Sequence, residues 1–235
     1  VIVHSGANNP LTEGWGAYTS GMGVSGIGVN DTGTQSWQIT DSSHTDFLGY
    51  YYTNPAWPSA PTGWTATSKV RIANNDLSAS PLDNYGASFY VWDGTSKWII
   101  DLVGTAADPT KNGIYFSAPD FTPVKLFAYD LASAYHTFQL SYDPLQADRV
   151  TFFLDGNNIG SINRNQVPTG PAGFYTFGFG AITPGGVGSS DWNAVNFTVG
   201  QSIAQPIPLV GAPEPATLGL LAMGGAALFC RRRSK

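Results

Sequence analysis

"ASFYVWDGTSKWIIDL" at residues 87–102 and "DRVTFFLDGNNIGSI" at 148–162 carry the same pattern. In each, apolar and other residues alternate up to an Asp-Gly pair, and the alternation resumes beyond it. Asp-Gly tolerates the positive φ angles of a tight reversal, so Asp93-Gly94 and Asp155-Gly156 each predict the turn of an antiparallel hairpin. The period of two sets the phase of each strand. Phe89 and Val91 share one face, Ser88, Tyr90 and Trp92 the other, and Phe152 and Leu154 should face away from Phe153.

The alternation recurs along the chain. It is seen at Trp37 and Ile39 in "QSWQIT", at Trp64, Ala66, Ser68, Val70 and Ile72 in "GWTATSKVRI", at Phe138, Leu140 and Tyr142 in "HTFQLSYD", and at Val195, Phe197 and Val199. Each segment reads as a strand with one buried face. With 28 Gly, 16 Pro, 13% aromatic and only 11% charged residues, the composition suits many short strands and tight turns, because Gly and Pro punctuate while aromatics fit pleated surfaces. No segment of the body shows convincing helical periodicity. Many antiparallel strands must close or stack, so an all-β, two-sheet sandwich is expected over 1–200.

The segments "NPLTEGW" at 9–15, "SWQITDSS" at 36–43, "YVWDGTSKWIIDL" at 90–102, "YHTFQLSYDP" at 135–144, "VTFFLDG" at 150–156 and "SSDWNAVNFTVG" at 189–200 resemble the concanavalin A-like lectin/glucanase jelly roll, particularly its laminin-G-like members on bacterial surfaces. That resemblance implies a lectin, a hydrolase, a lyase or an adhesive module, since the fold hosts all of these. It also admits a calcium ion held by Asp and backbone oxygens, without assigning ligands.

The chain closes on "PEPATLGLLAMGGAALFCRRRSK" at 213–235. The uncharged run 216–230 would span roughly 22 Å as a helix, a marginal crossing of a hydrocarbon core about 30 Å thick. Arg231, Arg232, Arg233 and Lys235 resist translocation and hold the tail on the cytoplasmic side. Pro213 and Pro215 keep the segment around Glu214 extended and accessible. Upstream, 201–212 is uncharged and Pro-rich, a linker. The tail resembles the PEP-CTERM sorting signal of exopolysaccharide-producing Gram-negative bacteria. The resemblance implies an exosortase as partner, membrane anchoring through a short C-terminal hydrophobic helix before processing, and then a place on the cell surface or in the extracellular matrix. The chain starts at Val1 without a leader-like segment, as expected of a removed signal peptide or of a fragment.

Chemistry narrows the function further. The net charge is −5, and the body is more acidic still because the tail carries the basic cluster. An acidic body without Lys/Arg clusters is a poor match for phosphate backbones, which argues against nucleic acid as a partner. The single cysteine, Cys230, lies in the tail, so neither a disulfide nor a cysteine zinc site serves the body. Glycosidases of this fold need close carboxylates. The body holds one Glu, Glu13, and most Asp residues stand in turn contexts such as "WDGT", "YDPL" and "LDGN". His4, His44 and His136 are scattered, without HExxH or GxSxG.

The reading is therefore non-catalytic, with no catalytic residue assigned: a carbohydrate-binding or adhesive module. Its rivals are a secreted polysaccharide hydrolase or lyase and a purely structural envelope protein. Sugar recognition uses aromatic faces with polar groups beside them. If Phe89 and Val91 point between the sheets, Tyr90 and Trp92 face outward, and by the same phase so do Lys69 and Arg71 in "SKVRIAN". These four are expected to form a platform for an extracellular polysaccharide, with Trp57 in "YYYTNPAWPSAPTGW" as a second aromatic contact.

Overall fold

The computed structural model describes residues 1–43, 45–53, 63–76, 87–104, 109–146, 148–182 and 187–200. Trp57, His44, the linker and the whole tail lie outside the described residues. Among the described residues, strands dominate and helix is confined to three 310 turns, Pro10–Glu13, Pro109–Lys111 and Arg164–Gln166.

In chain order the strands are β1 (Ile2–Ser5), β2 (Gly16–Ser20), β3 (Val24–Asp31), β4 (Thr34–Asp41), β5 (Phe47–Thr53), β6 (Trp64–Asp76), β7 (Ser88–Asp93) and β8 (Lys97–Val103). They continue as β9 (Gly113–Ser117), β10 (Pro123–Phe127), β11 (His136–Tyr142), β12 (Arg149–Leu154), β13 (Asn157–Asn163), β14 (Tyr175–Ala181) and β15 (Val187–Val199). The eight-stranded sheet runs β13-β12-β11-β6-β15-β4-β3, with β1 also paired to β15; the seven-stranded sheet runs β10-β9-β8-β7-β14-β5-β2. All pairings are antiparallel, and the chain crosses between the sheets repeatedly, as between β6 and β7.

The inward faces meet in one aromatic core. Trp64, Val70, Ile72, Trp192, Val195 and Phe197 from the eight-stranded sheet pack against Phe89, Val91, Trp98, Ile100, Phe177 and Phe179 from the other. Rings interlock there: Phe177 stacks on Phe197 at 4.8 Å and Phe179 meets Trp192 at 4.9 Å between centroids. Burial of such side chains is the main favourable term in folding.

The Asp155-Gly156 reversal joins β12 to β13 with Leu154 paired to Asn157, and both turn residues take positive φ, 48° and 81°. That is the two-residue turn whose twist matches the flanking strands. Phe152 and Leu154 enter the core, and Phe153 lies outside that cluster on the opposite face. Asp93-Gly94 opens a longer loop, closed by the Asp93 amide donating to the Ser96 carbonyl at 3.2 Å.

Candidate functional site

The outward face of the seven-stranded sheet is unusual in its side chains. Strands β2, β5 and β14 present glycine there, and tyrosines on neighbouring strands lean over them: Tyr18 over Gly49, Tyr51 over Gly16, and Tyr90 over Gly178. Tyr18 and Tyr90 share a hydrogen bond, and burial is the main cause that lifts both hydroxyls, Tyr18 to about 12 and Tyr90 well above the ordinary tyrosine value. One register row further along, Asp101 stands opposite Ser88. Its carboxyl is fully enclosed, and burial raises it to about 6 despite hydrogen bonds from Ser88 Oγ at 2.7 Å and, longer, from Ser117 Oγ at 3.5 Å.

Tyr90 faces outward as its phase implies, but it is only 5% exposed, so it is not an open stacking surface. Lys69 and Arg71 do not join it. Both face outward from β6 in the eight-stranded sheet, while Tyr90 and Trp92 face outward from β7 in the seven-stranded sheet, so the core separates the two pairs. The four-residue platform expected from strand phase does not form. Phase assigns a face within a strand and leaves open which sheet the strand joins. Arg71 is instead held between Asp31 at 2.8 Å and Asp191 at 3.1 Å, and Gln38 Nε2 donates to the buried Asp191 at 2.8 Å.

Around Trp92 a different set assembles. Lys97 is its direct partner across the β7–β8 hairpin. The Lys97 ammonium sits 4.3 Å from the Trp92 ring centroid and 5.1 Å from that of Phe121, and Phe174 packs against Trp92 at 5.0 Å. Trp92 is half-buried, while Phe121 is 55% and Phe174 41% exposed. These rings and the cation form an open aromatic patch at one end of the sheet. Its chemistry suits a flat, partly apolar ligand with polar groups at its rim.

The hairpin loop beneath is stiff. Asp93 Oδ1 accepts from the Thr95 amide and hydroxyl, the Ser96 amide and Arg164 Nη1, and Asp93 Oδ2 accepts from Trp98 Nε1 at 2.8 Å. Arg164 also reaches the Thr95 and Ser96 hydroxyls, and its guanidinium lies over Trp98 and Tyr142. The segment carrying Phe174 is pinned to the same loop, with Gly170 N donating to Thr95 O at 2.9 Å and Gly173 N to Gly94 O at 3.1 Å.

Sequence reasoning missed Lys97, Phe121 and Phe174. Lys97 was within reach, because the Asp-Gly hairpin places it across from Trp92. Phe121 sits in the turn of "SAPDFTPV" and Phe174 in the loop "PAGF", and no periodicity marks either.

The acid–base groups singled out in the sequence have structural partners. Glu13 Oε2 lies 2.6 Å from the Nδ1 of the buried His4, and Oε1 accepts from the Ser5 amide and Asn8 Nδ2, both at 3.0 Å. Burial pushes the Glu13 carboxyl upward, but these hydrogen bonds outweigh it and leave it below its usual range. His136 Nδ1 lies 2.7 Å from Asp155 Oδ2, and its buried Nε2 has no hydrogen-bond partner among the described residues. Among the described residues no group of three or more His, Cys, Asp or Glu is arranged to hold a metal ion.

The ends of the chain bear a different kind of chemistry, in which Pro213, Glu214, Pro215, an apolar run and Arg231, Arg232 and Arg233 follow in order. Residues 212–233 are a PEP-CTERM protein-sorting motif. The PEP-CTERM motif marks an exported protein that is anchored in the membrane until an exosortase processes it.

No curated protein matches the chain in sequence. The sandwich resembles the lectin and glucanase jelly rolls. It is similar to the carbohydrate esterase vb_24B_21 of the Shiga toxin-encoding bacteriophage phi24B, with a TM-score of 0.63 at 15% identity, covering 85% of this chain and 98% of the esterase. It is also similar to SO2946, a protein of unknown function from Shewanella oneidensis MR-1, with a TM-score of 0.51 at 12% identity, covering 92% of this chain and 89% of that one. Lectin I-B4 from Griffonia simplicifolia, in its metal-free form, aligns more loosely, at 0.46 and 13% identity over 79% of this chain and 93% of the lectin.

Proposed function

We propose that the exported domain is a non-catalytic carbohydrate-binding and adhesive module of the laminin-G-like kind, presented on the surface or in the extracellular matrix of a Gram-negative bacterium after exosortase processing. The observation that carries this reading is the open patch of Trp92, Phe174 and Phe121 on a stiff hairpin, whose ring faces suit the C–H faces of sugars. Stacking on one exposed ring is worth on the order of 1 kcal/mol. A single site is then weak, and retention depends on many copies engaging one polymer.

Against hydrolysis stands the setting of the carboxylates: Asp31 and Asp191, which do lie close together, are both tied to Arg71, and Asp191 is fully buried. Among the described residues, the outward strand positions of the seven-stranded sheet carry one, Asp101, where double displacement or inversion needs two. The rival hydrolase reading draws on the fold shared with a carbohydrate esterase and on His136, oriented by Asp155 as a general base would be. Among the described residues no hydroxyl is hydrogen-bonded to His136 Nε2.

A glycan array probed with the full chain in detergent micelles tests the proposal. Binding that Trp92→Ala abolishes, with the melting temperature lowered only slightly, supports it. A blank array, or release of reducing ends or acyl groups from any glycan, overturns it.

A further inference from the structure

Lys97 differs from the two arginines that are ion-paired within the sandwich. Arg71 is held by Asp31 and Asp191, and Arg164 by Asp93 and Asp148. The Lys97 ammonium has two aromatic faces for neighbours and, among the described residues, no carboxylate. In a chain of net charge −5, a cation kept from every described carboxylate and fixed between rings is poised for an anion from outside. The Trp92 Nε1 donor beside it likewise meets no acceptor among the described residues.

Phe121 points the same way. Its φ is 66°, a left-handed backbone that bulky side chains rarely adopt. The turn is held there by Ala118 N donating to Thr122 O, by Phe121 N donating to Ala118 O, both at 2.8 Å, and by Asp120 accepting from the Thr122 amide. Glycine would sit at this position without strain, yet the residue present is a phenylalanine. Its ring is mostly exposed, lies outside the core and contacts Lys97. Strain retained for an exposed ring indicates a use for the ring outside folding.

Resting on the carbohydrate-binding reading, we propose that this cluster selects acidic polysaccharides. A uronate residue lies with its C–H face on Trp92 and Phe174, and its carboxylate pairs with Lys97 Nζ. Phe121 covers the ammonium from the other side and keeps it aimed at the ligand. A charge-assisted hydrogen bond of this kind separates a uronate from the neutral sugar of the same shape by about tenfold in affinity.

The test compares one polyuronate with its carboxyl-reduced, neutral counterpart, using the full chain in detergent micelles. The expected result is binding to the polyuronate about tenfold tighter than to the reduced polymer, weakening as salt rises from about 0.05 to 0.5 M. Lys97→Gln should erase the preference and Lys97→Arg should keep it. Phe121→Gly should keep or raise the melting temperature while weakening polyuronate binding, a combination that a purely structural role for the ring would not produce. Equal affinity for the two polymers, or a preference that survives Lys97→Gln, overturns the selectivity and leaves the carbohydrate-binding reading standing. Failure to bind either polymer also overturns it, and a blank glycan array with it removes the underlying reading.

Discussion

Tyr90 leans over Gly178, its register partner on the neighbouring strand, so closely that a Cβ at position 178 would come within 2.3 Å of the ring. Gly178→Ala should therefore displace Tyr90 and cost about 1–3 kcal/mol, as overpacking does. Denaturant titration reads the loss. If the contact is the cause, Gly178→Ala made in a Tyr90→Ala background should cost much less than in the parent protein, and a fully additive double variant would refute that cause.

Asp101 gives the protein a pH signature. Burial raises its carboxyl from 3.8 to about 6, so the folded state holds this proton more tightly than the unfolded chain does. The sign follows: below about pH 3 both states are protonated and Asp101 costs nothing, while the penalty grows as pH rises from about 4 toward 6 and is complete above it. Asp101→Asn should leave stability near pH 3 little changed and raise it by on the order of 2 kcal/mol at pH 7. Melting curves of both proteins across that interval check it, and a gain that is the same at all pH values would contradict it.

The two-residue reversal after β12 requires left-handed backbone at both positions. Gly156→Ala, at φ 81°, should cost about 1 kcal/mol without altering the ligand patch, because the turn lies in the other sheet. A shift in polysaccharide affinity equal to that of Trp92→Ala would show that the two ends communicate.

Much of this architecture was legible in the sequence, for reasons that can be stated residue by residue. Asp155-Gly156 is readable because few dipeptides take two positive φ angles. The burial of Trp64, Ala66, Ser68, Val70 and Ile72 is readable because a pleated strand has a period of two. The separation of Lys69 and Arg71 from Tyr90 and Trp92 was not, because it depends on a crossover between sheets, and a strand's period is the same in either sheet. The ring of Phe121 left no periodic trace because it comes from a tight turn, and its position depends on backbone conformation.

The tail offers a test in the cell. Neutralising Arg231, Arg232 and Arg233 should weaken membrane retention, since these charges oppose transfer of the C-terminus. Fractionation and protease accessibility in the exosortase-bearing host measure it, and unchanged topology and processing would count against that role. A chain ending at residue 200 should stay folded and be released in soluble form, because β15 ends at Val199. Gel filtration and near-ultraviolet circular dichroism decide between that and aggregation.

The last strand among the described residues is an interior strand of its sheet: β15 is flanked by β6 along one edge and by β4 and β1 along the other. The sheet cannot be completed between those neighbours until residue 199 has left the ribosome, and contacts of such long sequence separation are slow to form. A chain that lacks residues 187–199 therefore lacks the strand that joins β6 to β4 and β1, and its eight-stranded sheet stays open. The strand that closes the sheet and the motif that sorts the protein are near neighbours in the chain, β15 ending at Val199 and the motif occupying 212–233, so completing the sandwich and acquiring its address fall to the same last stretch of synthesis.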